Sequence, residues 1–262
     1  MKIAKVVRTQ LRKRLNESQK RLAKNFIYSR LYGNDLAKLA AAFGTDKEGV
    51  HHYAEHYQRH FGPLQREKLN ILEIGIGGYD DPKDGGGSLR MWKAYFPNSR
   101  ICGIDIYDKS YHDDHRIKTF KGSQVDEDFL RKVVDEIGTI DIVIDDGSHF
   151  NDHTIRTFKI LFPLLSSNGI YAVEDLQTSY WDGEMAAGES WDGSKDLTAP
   201  HTSMNFLKSL IDGLNHEEFM LDEYTSSYFD KHVIAMYFYH NLAFIYKGLN
   251  NEGSNMLGRR FS

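Results

Sequence analysis

The sequence predicts an α/β fold built on one mostly parallel, Rossmann-like sheet, and three observations predict it. Short apolar strands alternate with helical patterns from residue 70 to 174. The first strand, Asn70-Ile71-Leu72-Glu73-Ile74, runs straight into Gly75-Ile76-Gly77-Gly78, and the second, Arg100-Ile101-Cys102-Gly103-Ile104, ends on Asp105. Two apolar runs, 231–239 and 242–247, flank the two-residue turn His240-Asn241 and read as a terminal antiparallel hairpin.

The elements follow in order. Ile3, Val7, Leu11, Leu15, Leu22 and Phe26 recur at helical spacing, so 3–30 reads as one amphipathic helix or two. Gly33 and Asn34 break that pattern, and 35–43 is a short helix closed by Gly44. A His- and aromatic-rich helix is expected over 48–61, before Gly62-Pro63. Strand 70–75, helix 87–96, strands 100–105 and 116–120, helix 126–137, strand 140–145, helix 152–165 and strand 169–174 come next. That alternation implies right-handed crossovers in a parallel sheet. Residues 176–200 are rich in Gly, Ser, Asp and Trp without periodicity and are expected to form a mobile loop over the ligand edge. Helix 202–214 and the hairpin complete seven strands, the last antiparallel. The expected organisation is a basic helical extension over 1–43, the α/β domain over 44–250 with 176–200 as its lid, and a tail over 251–262.

Composition narrows the class. The chain has 262 residues, enough for one large domain with additions, and its 40% hydrophobic and 27% charged content supports a packed core. No apolar run approaches the ~18 residues of a membrane span. The single cysteine, Cys102, lies in an apolar strand, so no intrachain disulfide can form, and a reducing, cytoplasmic setting is expected. Residues 1–40 carry 11 Lys/Arg against Glu17 and Asp35, a local net of +9 that leaves about −13 for the rest of a chain totalling −4. The arm is expected to dock on its own domain. A peripheral contact through residues 1–30, and assembly into a homo-oligomer, stay open. An acidic body argues against nucleic acid as a partner.

The glycine turn and Asp105 point to a nucleoside. Glycines after a buried strand let the backbone approach a ligand where a Cβ would clash, and an acid at the next strand end suits a ribose diol. Asp80, Asp81 and Asp84 follow the turn before Gly85-Gly86-Gly87-Ser88. Carboxylates there would repel a pyrophosphate, whereas S-adenosylmethionine brings a sulfonium and no phosphate. Glu73 would serve its amino-acid end, Asp105 its ribose, and Ser123-Gln124 after the third strand its adenine.

A second constellation stands at two further strand ends: Asp145-Asp146-Gly147-Ser148-His149 after 140–145, and Glu174-Asp175 after 169–174. In a doubly wound sheet these ends are neighbours, and clustered carboxylates need a cation. Oxygen ligands without cysteine point to Mg2+, Mn2+ or Ca2+ rather than zinc. Such an ion would lower the pKa of a hydroxyl nucleophile, and an imidazole, with an ordinary pKa of ~6.5, could take its proton. Asp146, Glu174 and Asp175 are the expected ligands, His149 the expected base. A plain turn and cap at the same residues is the bland alternative.

The segments EIGIGGYDDPKDGGGSLRMWKAYFP, IDDGSH, VEDLQTSYW and FGTDKEGVHHYAEHYQRHFGPL resemble the metal-dependent sugar O-methyltransferases of the mycinamicin and demethylmacrocin type and related actinobacterial polysaccharide methyltransferases. The similarity covers roughly 43–248. The resemblance implies a class I methyltransferase using S-adenosylmethionine and Mg2+, with the ion on Asp146, Glu174 and Asp175 and His149 as base. It implies cofactor contacts at Thr45, Lys47 and Tyr53, at Gly75, Gly77, Gly78 and Ser88, and at Asp145. The acceptor would be a glycosylated small molecule or oligosaccharide, with Tyr180, Trp181 and Trp191 of the lid able to stack on the sugar. The basic stretch 1–40 does not match the long N-terminal domain of the macrolide enzymes.

Other features carry less. His52, His56 and His60 fall at i, i+4, i+8 on one face of the expected helix, but no acid or cysteine joins them at ligand spacing. Ser148 adjoins His149 too closely for a hydrolytic pair. Cys102 is expected in the core. Two rival functions are a nucleotide-dependent oxidoreductase and a non-catalytic scaffold acting through the basic arm.

Overall fold

The computed structural model describes residues 16–184, 190–221 and 223–254. Two compact units divide the chain: one holds the residues up to Lys68 together with Gly86–Ser99, the other Leu69–Gly85 and everything from Arg100. The boundary expected at residue 43 is therefore not where the units part. Residues 44–68 group with the preceding helices.

In the first unit, α1 spans Glu17–Tyr32 and starts on a reciprocal cap, Asn16 Oδ1 accepting from Gln19 N at 2.8 Å and Gln19 Oε1 from Asn16 N at 3.0 Å. The expected start at residue 3 lies outside the described residues. Phe26, expected on a buried stripe, is 65% exposed. Asp35 caps α2, Leu36–Phe43, and Gly44 closes it at φ 73°. The helix expected over 48–61 forms only as α3, Ala54–Phe61, because Gly49 (φ 84°) and His52 (φ 57°) turn the backbone left-handed first. His52 thus stands outside the helix, and the three-histidine face does not exist. Helix α4, Gly87–Tyr95, buries Trp92 against Tyr57 and Phe61, with ring centroids 5.1 and 5.8 Å apart.

The second unit is the sheet. Its strands are β1 Asn70–Ile74, β2 Arg100–Asp105, β3 Ile117–Lys121, β4 Ile140–Asp145, β5 Leu165–Val173, β6 Val233–Tyr239 and β7 Leu242–Lys247, in the order β3-β2-β1-β4-β5-β7-β6. The pairings among β1 to β5 are parallel, and β7 runs antiparallel to both β5 and β6. The predicted hairpin is β6–β7, with Asn241 left-handed at φ 60° in its turn. Strand β5 begins four residues before the expected 169. Leu165 pairs with Ile140, and the polar stretch 166–169 then bulges out before Ile170 rejoins Ile142. Buried Lys247 fixes this join, its Nζ donating to the carbonyls of Pro163 (2.8 Å) and Leu165 (2.6 Å).

Helices α5 (Glu127–Ile137), α6 (Asn151–Leu164), α7 (Ser203–Gly213) and α8 (Tyr228–His232) belong to this unit. Leu130, Val133, Phe158, Leu161 and Leu207 from the first three pack with Leu72, Cys102, Val143 and Tyr171 of the strands in one core. Cys102 is that core residue, and burial pushes its thiol up to about 11, far from a reactive thiolate. Among the described residues no helix is long and apolar enough to cross a membrane.

Candidate active site

Strands β1, β2, β4 and β5 end side by side, and the chain leaves β1, β4 and β5 while still hydrogen-bonded to a neighbouring strand. Gly75 N donates to Ile104 O (2.9 Å), Asp146 N to Ile74 O (3.0 Å) and Glu174 N to Asp145 O (3.0 Å). These bonds extend the ladder by one residue and fix where the loops begin.

On the β1–β2 side, backbone makes the surface. A Cβ on Gly75 would sit 1.9 Å from Asp146 O, and one on Gly78 would sit 2.3 Å from the carbonyl carbon of Asp84, so the path exists only for glycine. Gly77, at φ 74°, has no heavy atom nearer than 3.9 Å to its missing Cβ, which leaves a cradle open above the turn. Asp105 closes the cradle, its Oδ2 accepting from Ile76 N at 3.0 Å and its Oδ1 from Tyr107 N at 2.9 Å. Each oxygen keeps a further lone pair for a ligand hydroxyl. The aspartates that follow are exposed and serve their own loop: Asp81 Oδ1 accepts from Lys83 N and Asp84 Oδ1 from Gly85 N. Buried Lys109 donates from Nζ to Asp81 O (2.8 Å), and His112 Nε2 bonds Asp84 O (3.0 Å). Lys109 and His112 have no sequence signature, because both act on carbonyls more than twenty residues away.

On the β4–β5 side, side chains make the surface. Asp146, His149 and Asp175 bring one ligand atom each within 4.8 Å of one another. His149 Nε2 lies 3.6 Å from Asp175 Oδ2 and 4.0 Å from Asp146 Oδ1. Ligands at ~2.1–2.5 Å around a hard cation stand about 3–5 Å apart, so this donor set fits one. His149 (φ 59°) and Asp175 (φ 54°) are both left-handed, which aims two side chains that an extended backbone would direct elsewhere. Glu174, also expected as a ligand, is buried at 5% exposure and falls outside this three-residue group.

Behind the group lies a buried polar layer. Burial pushes the Asp145 carboxyl up to about 7, against the opposing pull of the Tyr171 hydroxyl, which donates to Oδ2 at 3.1 Å, and of His149. Gln124, expected at the adenine, is buried and spends its amide inside the protein. Its Nε2 donates to Asp145 Oδ1 (3.3 Å) and Thr157 Oγ1 (3.2 Å), and its Oε1 accepts from Ser148 N (2.8 Å). Gln124 therefore braces the turn that carries Asp146 and His149. Ser148 pairs with His153 rather than His149, Oγ to Nδ1 at 2.7 Å.

The described parts of the expected mobile lid are tied down. Asp192 accepts from the N–H groups of Asn151 and Asp152 at the start of α6, at 2.8 and 3.0 Å, complementing the helix dipole. Asn151, fully buried, links Ser179 and Ser203 through its Oδ1. Trp181 meets Trp191 edge to face at 5.5 Å, and Leu176–Tyr180 winds into a 3-10 turn that the sequence did not announce. Tyr180 and Trp181 remain 41% and 45% exposed.

The remaining predicted residues belong to the first unit. Thr45 Oγ1 accepts from Lys47 N (3.3 Å), and Lys47 and Tyr53 are buried. Ser88 sits in the first turn of α4, where a Cβ on Gly87 would approach Phe43 O at 3.3 Å and Thr45 Cγ2 at 3.4 Å. The structure thus brings Thr45 and the start of α4 together within that unit.

No family model matches the chain. Demethylmacrocin O-methyltransferase of Streptomyces fradiae is 47% identical over 221 residues, 84% of this chain and 54% of that protein. The 8-demethyl-8-alpha-L-rhamnosyl tetracenomycin-C 2'-O-methyltransferase of Streptomyces olivaceus is 46% identical over 217 residues, 82% of this chain and 55% of that protein. Among solved structures, the MycE methyltransferase from the mycinamycin biosynthetic pathway, in complex with Mg, SAH and mycinamycin VI, aligns with a TM-score of 0.78 at 43% identity. That alignment covers 84% of this chain and 55% of MycE. The chain spans about half the length of the curated relatives it matches. Over that shared half, in sequence and in fold, it is a homologue of the macrolide and tetracenomycin sugar O-methyltransferases and carries the Rossmann-like class I methyltransferase fold.

Proposed function

We propose that the chain transfers a methyl group from S-adenosylmethionine to a sugar hydroxyl of a glycoside, with a divalent cation, taken as magnesium, at the β4–β5 edge. The observation that carries this reading is the convergence of Asp146, His149 and Asp175 at two adjacent strand ends, in a chain 43% identical to a methyltransferase solved with Mg, SAH and a glycoside. Asp146 and Asp175 would hold the ion, joined by Glu174 as the resemblance implies. Glu73, Gly75, Gly77, Gly78, Asp105, Ser123 and Asp145 would hold the cofactor from the sheet unit, with Gln124 bracing from behind. The roles of Thr45, Lys47, Tyr53 and Ser88 rest on the resemblance.

When bound, the cation would depress the pKa of a sugar hydroxyl and orient a vicinal diol, and the sulfonium would supply the methyl group. His149 Nε2 takes the proton that the acceptor hydroxyl loses as its oxygen gains the methyl carbon. Tyr180 and Trp181 offer ring faces to the sugar. Asp146 and Asp175 keep the imidazole aimed through the charges beside Nε2.

A second role for His149 is favoured by the same distances: a third ligand rather than the base. The His149→Ala variant separates them. As base, it loses turnover by about two to four orders of magnitude with magnesium affinity kept; as ligand, it loses the affinity too. For the reaction as a whole, radiolabelled methyl donor is offered to a panel of rhamnose, mannose and deoxyhexose glycosides. Label should reach a glycoside with magnesium and stop with chelator. Label undiminished in chelator refutes the metal, and no labelled glycoside refutes the function. Asp146→Asn should lose metal-dependent turnover while S-adenosylhomocysteine still binds.

A further inference from the structure

We infer that the outer face of α1 is a docking surface for an anionic lipid bilayer, with the helix lying in the plane of the headgroups. The packing side of α1 is settled within its own unit. Asn25 is buried and donates from Nδ2 to Arg90 O (3.3 Å), and Tyr28 meets Phe43 edge to face at 5.4 Å. Away from that side stand Phe26, Ile27 and Leu31, which are 65%, 49% and 64% exposed. A helix that meets only water keeps such residues inward. At about 100° per residue, Phe26, Arg30, Ile27, Lys20, Leu31 and Lys24 share an arc of about 160°, so cations and apolar groups alternate across one face. Arg30 Cζ lies 5.7 Å from the centroid of the Phe26 ring, a guanidinium held beside an exposed aromatic.

Charge selects the occupant. Helix α1 contains Lys20, Arg21, Lys24 and Arg30 against the single acid Glu17. Residues 1–15 lie outside the described residues, but their sequence has the same composition: Lys2, Lys5, Arg8, Arg12, Lys13 and Arg14, with no acid. Cations alone would suit any polyanion, including the acidic remainder of a second copy. Lysine is depleted from protein interfaces, however, and protruding apolar side chains gain little from a charged, hydrated partner. An anionic bilayer matches both halves of the pattern, with phosphates for the cations and the acyl-chain boundary for Phe26, Ile27 and Leu31. Among the described residues no helix is long and apolar enough to cross, so the contact is with the surface. It is independent of the reaction proposed above.

The test is co-sedimentation of the full chain with vesicles of phosphatidylcholine alone, or of phosphatidylcholine with about 30% phosphatidylglycerol. The anionic vesicles should bind at least about tenfold more strongly, and about 0.5 M NaCl should remove most of that preference. The double variant Phe26→Ser, Leu31→Ser changes only exposed side chains, so its circular dichroism melt should match wild type while binding falls about tenfold. Lys20→Glu with Arg30→Glu should weaken binding to the anionic vesicles at least as much. Equal binding to both vesicles, or none to either, overturns the proposal. So does anionic binding that survives Phe26→Ser, Leu31→Ser, which would assign it to other basic residues. A wild-type dimer in light scattering that this variant dissociates, without vesicle binding, would overturn it in favour of a second copy.

Discussion

In the loop after β1 the left-handed residues are Gly75, Gly77, Gly78, Gly85 and Gly86, with Tyr79 the one non-glycine among them, while at the ends of β4 and β5 they are His149 and Asp175. Both pairs of strands deliver the chain to the same edge of one sheet, yet one side offers backbone and the other offers side chains. Glycine adopts positive φ without steric cost, whereas a residue with a Cβ holds it at a cost of order 1 kcal/mol or more. The β1–β2 side is thus built for close approach of a ligand to the main chain. The β4–β5 side accepts strain in order to point charged groups at one spot. Changes on the first side should fail by steric clash, and changes on the second should fail by lost chemistry.

The largest expected effect tests the first half of that contrast. Gly75→Ala places a Cβ 1.9 Å from Asp146 O, backbone against backbone, at φ 85°. It should cost about 3 kcal/mol or more of folding free energy in denaturant melts and weaken S-adenosylhomocysteine binding as well. Wild-type stability in that variant would mean the two sides are not in contact through this glycine.

Asp192→Ala is next. It removes the carboxylate that caps the start of α6 and holds the described part of the lid, and should lower stability by about 1–2 kcal/mol. A change confined to acceptor KM, with no loss of stability, would show that Asp192 acts on the acceptor rather than on the helix.

The smallest effect has the opposite sign. Asp175→Gly releases the left-handed strain at φ 54° and should raise stability by a few tenths to about 1 kcal/mol while methyl transfer collapses. A variant less stable than wild type would show that Asp175 holds the fold together and would erase the contrast between the two edges.

Much of the fold is legible because it is written locally. Asn70–Ile74 and Arg100–Asp105 read as strands from their apolar runs, and His240-Asn241 reads as a hairpin turn from its position between two others. One reading changed for a local reason, and the others where distant residues decide. His52 left its helix because its own backbone and that of Gly49 turn first. Gln124 is nominated by its position after β3, but its amide is claimed by Asp145, Thr157 and Ser148, all more than twenty residues away. The loop over 176–200 lacks periodicity, so nothing local announces that Asp192 will pin it to α6.

By itself, the sequence determined the order of strands and glycine turns, the acids at four strand ends and hence the kind of ligand each end could take, because strand periodicity and residue chemistry are properties of short segments. Tertiary structure alone decided that His149 stands 3.6 Å from Asp175, that Glu174 lies outside that group, and that Gln124 spends its amide inside the protein. Those outcomes depend on backbone conformation at single residues and on which partner reaches a buried polar atom first. Packing fixes both.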